Sequence, residues 1–551
     1  MKATTIRKVV SIGCVLPSVV LVLTMQLAPD AYAAAPGITG PNFSLTAQAN
    51  YITQPDGQSI YSWGYGCKSA PFGFAPSAIG GAACPTMQIP GPTLIVTEGQ
   101  TVAVTLTNNL PASAGNTSIL FPGFQVTASP VDNTTTTGPK QGLLTTEAPS
   151  GGSVTYTFVA GSPGTRSYYS GTQGDLQVEM GLYGAIIVLP ATISSSCTTG
   201  IMNSNELAKS AHSESDFRLA AAAYDHASSC YDREYLFQFS EIDPRIHHDT
   251  ETQVAAIASC QGSAGGGGGG DEASINTAVS CPSTLNVQTE PYHPTYFMVN
   301  GRSMPDDMDP NYALEYPHQP YNGNPHMHPG ELVLLRIIGQ GRWQHPFHEH
   351  GNHVRILARD GNLIVSQTDS TKLAGPLLFT TTTTPGVAMD GIFYWTGKGL
   401  NWDAYGHNST SKDAQAKLSC TPDANGYNTG NPSANNYYEW CADHLKPLEK
   451  APFGDVGAGG PVTLPDANYL TNGNWYGGSA YLGPNATTRA VGGNGTTPPS
   501  GTVANSPSEE AGFAFMWHSH NEREITTNNM FPGGMMMMLV DSREFQIDES
   551  N

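Results

Sequence analysis

The chain has 551 residues and a formal net charge of −21, with 24 lysines and arginines against 45 aspartates and glutamates. Nucleic acids and anionic lipid surfaces attract basic proteins, so this balance argues against either as a partner and is compatible with attracting cations. Charged residues are 13% of the chain, about half the share in an average soluble protein, and 61 glycines with 41 prolines make it rich in turns without reaching the composition of disorder. At roughly 100–200 residues per domain, the length predicts two to four domains.

Lys2, Arg7 and Lys8 precede an apolar stretch from Val9 to Leu27, and Ala31-Tyr32-Ala33 is a small-x-small cleavage site. This is the pattern of a secretory signal over residues 1–33, which predicts a secreted or periplasmic mature chain starting near Ala34. No later stretch is long and apolar enough to span a bilayer. Removing the signal removes Cys14 and leaves Cys67, Cys84, Cys197, Cys230, Cys260, Cys281, Cys420 and Cys441. An even number in an exported chain predicts disulfides, and sequence neighbours give the simplest of many pairings. None has Cys-x-x-Cys spacing, which speaks against a zinc or redox motif.

The mature chain reads as strands. Leu94-Ile95-Val96 leads into a turn at Glu98-Gly99-Gln100, after which Val102, Val104 and Leu106 alternate with polar neighbours, the mark of a half-buried strand. Val154, Tyr156 and Phe158 alternate likewise, and Gly184 to Leu189 is a continuous apolar run stopped by Pro190. Short strands between Gly/Pro turns predict β-sandwiches, the first over 34–194. A linker follows over 195–232, with a possible helix between Glu206 and Tyr224. A second domain over 233–551 opens at Tyr235-Leu236-Phe237 and continues through Tyr296 to Val299, Leu332 to Ile338 and Val354 to Leu357. Two insertions interrupt it: a glycine-rich loop at 262–274, and a segment at 401–507 that is too long for an ordinary connection and is expected to cover a site or contact a partner.

Six of the 16 histidines fall between His326 and His353. The strongest constellation is His345-Pro346-Phe347-His348-Glu349-His350-Gly351-Asn352-His353, and a second is Trp517-His518-Ser519-His520. Residues two apart in a strand share a face, so His348 and His350 project together, as do His518 and His520. On neighbouring strands, four imidazoles would converge. Imidazole suits copper, zinc, iron and nickel, whereas calcium and magnesium take oxygen ligands. His326-Met327-His328 is a further pair that either joins the site or lies in a loop. The methionines at 535–538 are read as packing residues, and Asp306, Asp307 and Asp309 as a solvated turn.

At these residues the chain resembles the multicopper oxidases, a family of cupredoxin-domain proteins. His345 to Gly351 is similar to that family's His-Pro-x-His-x-His-Gly motif, and His518-Ser519-His520 to its His-Cys-His motif, followed by Gly533-Gly534-Met535. Gly91-Pro92-Thr93-Leu94 with Glu98-Gly99-Gln100 resembles the opening of the family's first domain, and Gly181 to Val188 its last strand. The resemblance implies an all-β chain of tandem cupredoxin-like Greek-key sandwiches with long loop insertions. It also implies copper as cofactor, O2 as possible co-substrate, and a small phenolic or metal-ion reductant.

The departures are specific. Where the family takes two His-x-His pairs from its first domain, this chain has Leu120-Phe121-Pro122-Gly123 and Tyr168-Tyr169-Ser170-Gly171. The blue-copper thiolate is replaced by Ser519, and the histidine expected four residues after His520 is Glu524. The resemblance therefore leaves a site of one or two copper ions at His348, His350, His518 and His520. His353 is a further ligand or an orienting group, and His345 with Glu524 forms either a second metal site or a buried ion pair. Glu522 and Glu524 are the candidate proton-relay residues. The favoured reading is an exported copper oxidoreductase. A copper-binding or tolerance protein without turnover, and a structural surface protein with a vestigial site, remain alternatives. A homotrimer would be in keeping with two-domain relatives.

Overall fold

The computed structural model describes residues 34–197, 214–265, 281–398, 420–431, 437, 439–442, 478–481, 487–488, 503–504, 512–541 and 545–547. The expected signal segment, residues 266–274 of the first insertion and most of the second lie outside the described residues.

The alternating segment forms the strand Thr101–Asn108, with Val102, Val104 and Leu106 fully buried. Glu98 to Gln100 turns the chain into it from the strand Gly91–Thr97, and Gly99 takes φ +83° at that turn, a region open to glycine at no steric cost. The turn also moves the chain from one sheet to the other. The first sheet orders Gly164–Tyr169, Tyr183–Leu189, Gly91–Thr97, Gly37–Thr39 and Phe74–Ala75; the second orders Ser59–Cys67, Asn42–Thr53, Thr101–Asn108, Ser153–Val159 and Thr127–Ala128. Leu94, Val96, Ile186 and Val188 from one sheet meet Leu45, Trp63, Val104 and Tyr156 from the other in a shared core.

A second sandwich has one sheet ordered Tyr296–Val299, Arg233–Ile242, Leu332–Gly339, Ala388–Tyr394, Val354–Arg359 and Asn362–Leu363. The facing sheet orders His326–Met327, Met535–Asp541, Gly512–Ser519, His345–Glu349 and Thr380–Thr383. From Leu332 the chain crosses to the facing sheet at His345, returns at Val354, crosses again at Thr380 and returns at Ala388. Two sandwiches whose chain crosses between facing sheets are the tandem cupredoxin-like architecture expected from the sequence. The interior joins Phe237, Val333, Leu335 and Phe393 to Phe347, Phe515, Trp517 and Met536, so the expected packing role of Met536 and Met538 holds.

The apolar run at Tyr183–Leu189 is continuous because both of its faces are covered. Ile186 and Val188 enter the first core, while Ala185 and Ile187 pack on Leu236, Ile338 and Ala388 of the second sandwich. Cysteines pair as sequence neighbours: Cys67–Cys84, Cys197–Cys230, Cys260–Cys281 and Cys420–Cys441.

One long element was not expected. Pro244–Gly265 is an α-helix of 22 residues, and its first four glycine-loop positions, 262–265, were read as loop. Its start carries the usual signals: Pro at the first turn, and the Asp243 carboxylate accepting the Arg245 N–H at 3.1 Å. The described part of the expected linker helix, residues 214–224, is not helical. Among the described residues no helix is long and apolar enough to cross a membrane.

The sandwiches are also joined by buried charge. Asp390 accepts hydrogen bonds from the Thr165 N–H at 3.0 Å and the Thr165 hydroxyl at 2.6 Å, and from the Tyr224 hydroxyl. Arg336 reaches Thr165 Oγ1 at 3.1 Å and pairs with Glu234 at 2.8 Å. Removing one member strands the others out of water. Asp390→Ala is expected to lower the unfolding free energy by about 3–5 kcal/mol in urea titrations. Lys372→Ala, at the exposed Lys372–Asp369 pair, is expected to cost less than about 1 kcal/mol.

Candidate metal centre

The strand His345–Glu349 lies antiparallel to Gly512–Ser519, with Phe347 opposite Ser519, His348 opposite His518 and Glu349 opposite Trp517. The two-residue period sends Phe347 and Trp517 into the core and His348 and His518 to the other face. Gly351, at φ +102°, ends this strand, and the His520 N–H continues the ladder to the Pro346 carbonyl at 2.8 Å. The four histidines are thereby gathered. Ring centroids lie 4.8 Å apart for His348 and His350, 5.6 Å for His348 and His518, and 4.6 Å for His348 and His520. They lie 5.1 Å apart for His350 and His518, and 5.4 Å for His518 and His520.

The rings are gathered but not closed around a point. Among the described residues no three His, Cys, Asp or Glu side chains are placed to hold one ion. The donor set nevertheless fits an imidazole-bound metal. His518 Nδ1–H donates to the Ser519 carbonyl at 2.7 Å, which turns Nε2 inward; His518 Nε2 stands 3.2 Å from His350 Nε2. Two nitrogens bound to one tetrahedral ion at roughly 2.0–2.1 Å are separated by about 3.3 Å. His348 Nδ1 is hydrogen-bonded to Thr380 Oγ1 at 2.8 Å, a hydroxyl that fixes the ring as outer partners of ligating imidazoles do. Burial and the three neighbouring imidazoles push the His348 pKa down to about 4, and burial lowers that of His518. Both rings are neutral at pH 7, the ligating form.

The other candidates fall in different places. His353 packs its ring against Phe379 at 5.0 Å, and Phe379 in turn lies 5.7 Å from His348, so His353 stands beside the group rather than within it. Glu522 is 70% exposed, 3.5 Å from the half-exposed His520. His345 is buried between two carboxylates, with Nδ1 at 2.7 Å from Glu524 and Nε2 at 2.8 Å from Glu241. These contacts make a buried triad of His345 with Glu524 and Glu241. His326 pairs with Asp541 at 2.7 Å and His328 with Glu214 at 2.7 Å. That pair sits on the far side of the Met535–Asp541 strand, with His326 in register with Leu539 and His518 with Met535. Of the acidic turn, Asp307 is fully buried, contrary to the solvated reading.

Three residues were not visible as candidates. Glu241 comes from the distant strand Arg233–Ile242, and nothing in its local sequence marks it. Thr380 is equally remote. Glu349 lies inside the first histidine motif, yet its side chain points into the core, where the Thr381 hydroxyl donates to it at 3.1 Å. Burial raises its pKa to about 8, so it stays protonated near neutrality.

In the first sandwich, the positions that lack histidine are packed with aromatic rings. Phe121 lies 5.8 Å from Tyr168 and 4.9 Å from Phe158. The fully buried Tyr168 donates its hydroxyl to the Pro92 carbonyl at 2.7 Å. These residues form core, not a donor set.

The His345 triad has a pH signature. Burial opposes the imidazolium, but hydrogen bonds and charge from Glu241 and Glu524 outweigh it and push the pKa up to about 10, above the ordinary histidine value of about 6.5. Its stabilising contribution is therefore complete below about pH 6.5 and lost as pH rises through about 10. Glu179 and Glu349, both raised by burial to about 8, complete most of their own effect by about pH 9. Urea midpoints are expected to fall between about pH 9 and 10 in the wild type, and this fall is expected to be absent in His345→Gln.

The sequence of residues 84–192 matches the family model of the multicopper oxidases. No curated protein matches the chain. Among solved structures it is similar to the multicopper oxidase mgLAC, at 14% identity over 91% of this chain and 85% of that one, with a TM-score of 0.40. It is also similar to the copper nitrite reductase from Nitrosomonas europaea, at 18% identity over 65% and 85%, with a TM-score of 0.35. A third is the blue copper oxidase from Nitrosomonas europaea, at 17% identity over 64% and 74%, with a TM-score of 0.34. Residues 84–192 thus match the multicopper oxidase model and the two histidine motifs of the second sandwich resemble that family's, while the first-domain copper histidines and blue-copper cysteine of the family have no counterpart at the corresponding positions here.

Proposed function

We propose that the chain is an exported copper-binding oxidoreductase, in which His348, His350, His518 and His520 hold one or two copper ions. The observation that carries this reading is the strand register that sets His348 opposite His518 and turns both pairs to one face. Copper held there would supply one-electron chemistry between O2 and a small reductant, phenolic or a metal ion. Thr380 and the Ser519 carbonyl orient two of the rings. His520 and Glu522 form the solvent side, where Glu522 is placed to exchange a proton with water. Phe379 and His353 flank His348. Glu524 holds His345 charged and is a positioning residue in this reading. The first sandwich, 34–194, serves as a scaffold that buries one face of the second, with residues 1–33 as the export signal and 195–232 as the linker.

A second reading, copper binding without turnover, is favoured by the aromatic filling of the first-domain positions and by the charged triad where the resemblance places the electron-entry copper. Copper stoichiometry with EPR and visible spectra tests the site. The expected result is a non-blue copper signal, lost in His348→Ala/His518→Ala; two coppers with a weak signal indicate a coupled pair at the same residues. No copper after reconstitution overturns both readings. Oxygen uptake with a phenolic reductant or ferrous iron separates them: the oxidoreductase consumes O2 in proportion to bound copper, and the storage protein does not.

A further inference from the structure

We propose that the outer face of the histidine-bearing sheet carries a second metal site, for the soft monovalent ion Cu(I), built from the thioethers of Met516, Met535 and Met537. It is distinct from the imidazole group and does not rest on copper being held there.

The four consecutive methionines of the strand Met535–Asp541 divide by face. Side chains alternate along a strand, and Met536 and Met538 enter the core of the second sandwich with Phe515 and Trp517. Met535 and Met537 therefore turn the other way. Register sets their partners on Gly512–Ser519: Met535 is opposite His518, Met536 opposite Trp517 and Met537 opposite Met516. Met516 lies two residues before His518 and shares its face. Three thioethers thus occupy the face that gathers the imidazoles. Directly opposed residues of an antiparallel pair have Cβ atoms about 4.5–5.5 Å apart, and a diagonal pair such as Met516 and Met535 lies about 7–8 Å apart. A methionine side chain has three rotatable bonds and adapts its reach, so sulfurs at these spacings can meet around one ion.

Packing explains the inward pair but not the outward one. Met536 and Met538 are fully buried, whereas Met516 and Met537 are half-buried. On either side of them the same face is closed: His518 with Met535, and Ala514 with Leu539, are all buried. The opening falls on the methionine pair. A half-covered strand position ordinarily takes a β-branched or aromatic residue, so methionine on both sides of the pair has no strand preference behind it. Thioether is a soft donor, which selects Cu(I) over the harder zinc, calcium and magnesium ions. The donors carry no charge, so a monovalent ion is the least costly to hold in a partly buried site.

Anaerobic titration of the full mature chain with Cu(I), in competition with bicinchoninate and read with copper K-edge absorption, tests the site. In His348→Ala/His518→Ala, which leaves the methionines in place, the expected result is one bound Cu(I) with sulfur scattering. Adding Met516→Leu/Met537→Leu, a swap that conserves volume, is expected to remove the sulfur scattering and weaken binding about tenfold or more. Adding the inward-facing Met536→Leu/Met538→Leu instead is expected to change neither. The wild type, with sulfur scattering expected beside nitrogen, carries the test if the histidine variant fails to fold. Absence of sulfur scattering overturns the proposal. So does an affinity unchanged by Met516→Leu/Met537→Leu, or an equal loss in Met536→Leu/Met538→Leu.

Discussion

The pairing of His345–Glu349 with Gly512–Ser519 is the constraint on which the candidate centre depends. Side chains alternate faces along a strand, so a slip of one residue would send His348 and His518 into the core and expose Phe347 and Trp517. Packing prevents that slip. Phe347 packs at a tilt against Phe239 at 4.7 Å and meets Trp517 edge-on at 6.1 Å. The Trp517 indole N–H donates to the His350 carbonyl at 2.9 Å. The hydrophobic core thus sets the register, and the register sets which imidazoles meet.

A second constraint is electrostatic and ties the site to the rest of the molecule. Glu179 of the first sandwich accepts the Tyr292 hydroxyl at 2.7 Å, and that hydroxyl lies 3.2 Å from Glu241. Glu241 pairs with His345, His345 with Glu524, and Glu524 accepts the Asn521 side-chain N–H at 2.8 Å. Asn521 directly follows His520. A continuous line of hydrogen bonds therefore runs from the first sandwich to the loop beyond the histidine group. It passes through the position that the family resemblance gives to a blue copper. There, the structure places a charged imidazole between two carboxylates, where the resemblance implies imidazoles and a thiolate. A buried ion cluster of this kind demands all its partners at once, which makes it a device for holding the two sandwiches in one arrangement.

Much of this was legible in the residues. The strands at 101–108 and 153–159 followed from alternation, the doubly covered strand at 183–189 from its unbroken apolar run, and the disulfides from neighbour pairing. The histidine motifs pointed to the strands that pair. The helix at 244–265 was missed because its glycine-rich end reads as loop, while Asp243 and Pro244 at its start carried a signal that was there to be used. Asp307 was misjudged because an acidic turn looks solvated until other segments close over it.

The sequence by itself determined the fold class, the alternation of buried and exposed positions, and which residue types are present or missing for metal chemistry. Those properties are local: they depend on period two, on turn residues and on side-chain chemistry. It took the packed molecule to show that His345 lies between Glu241 and Glu524, that Thr380 bonds His348, and that His353 faces Phe379. Each of those facts joins segments tens to hundreds of residues apart. Nothing in a local pattern states which distant carboxylate or hydroxyl a buried polar group will meet; the packing of sheets and the need to satisfy buried charge settle it together.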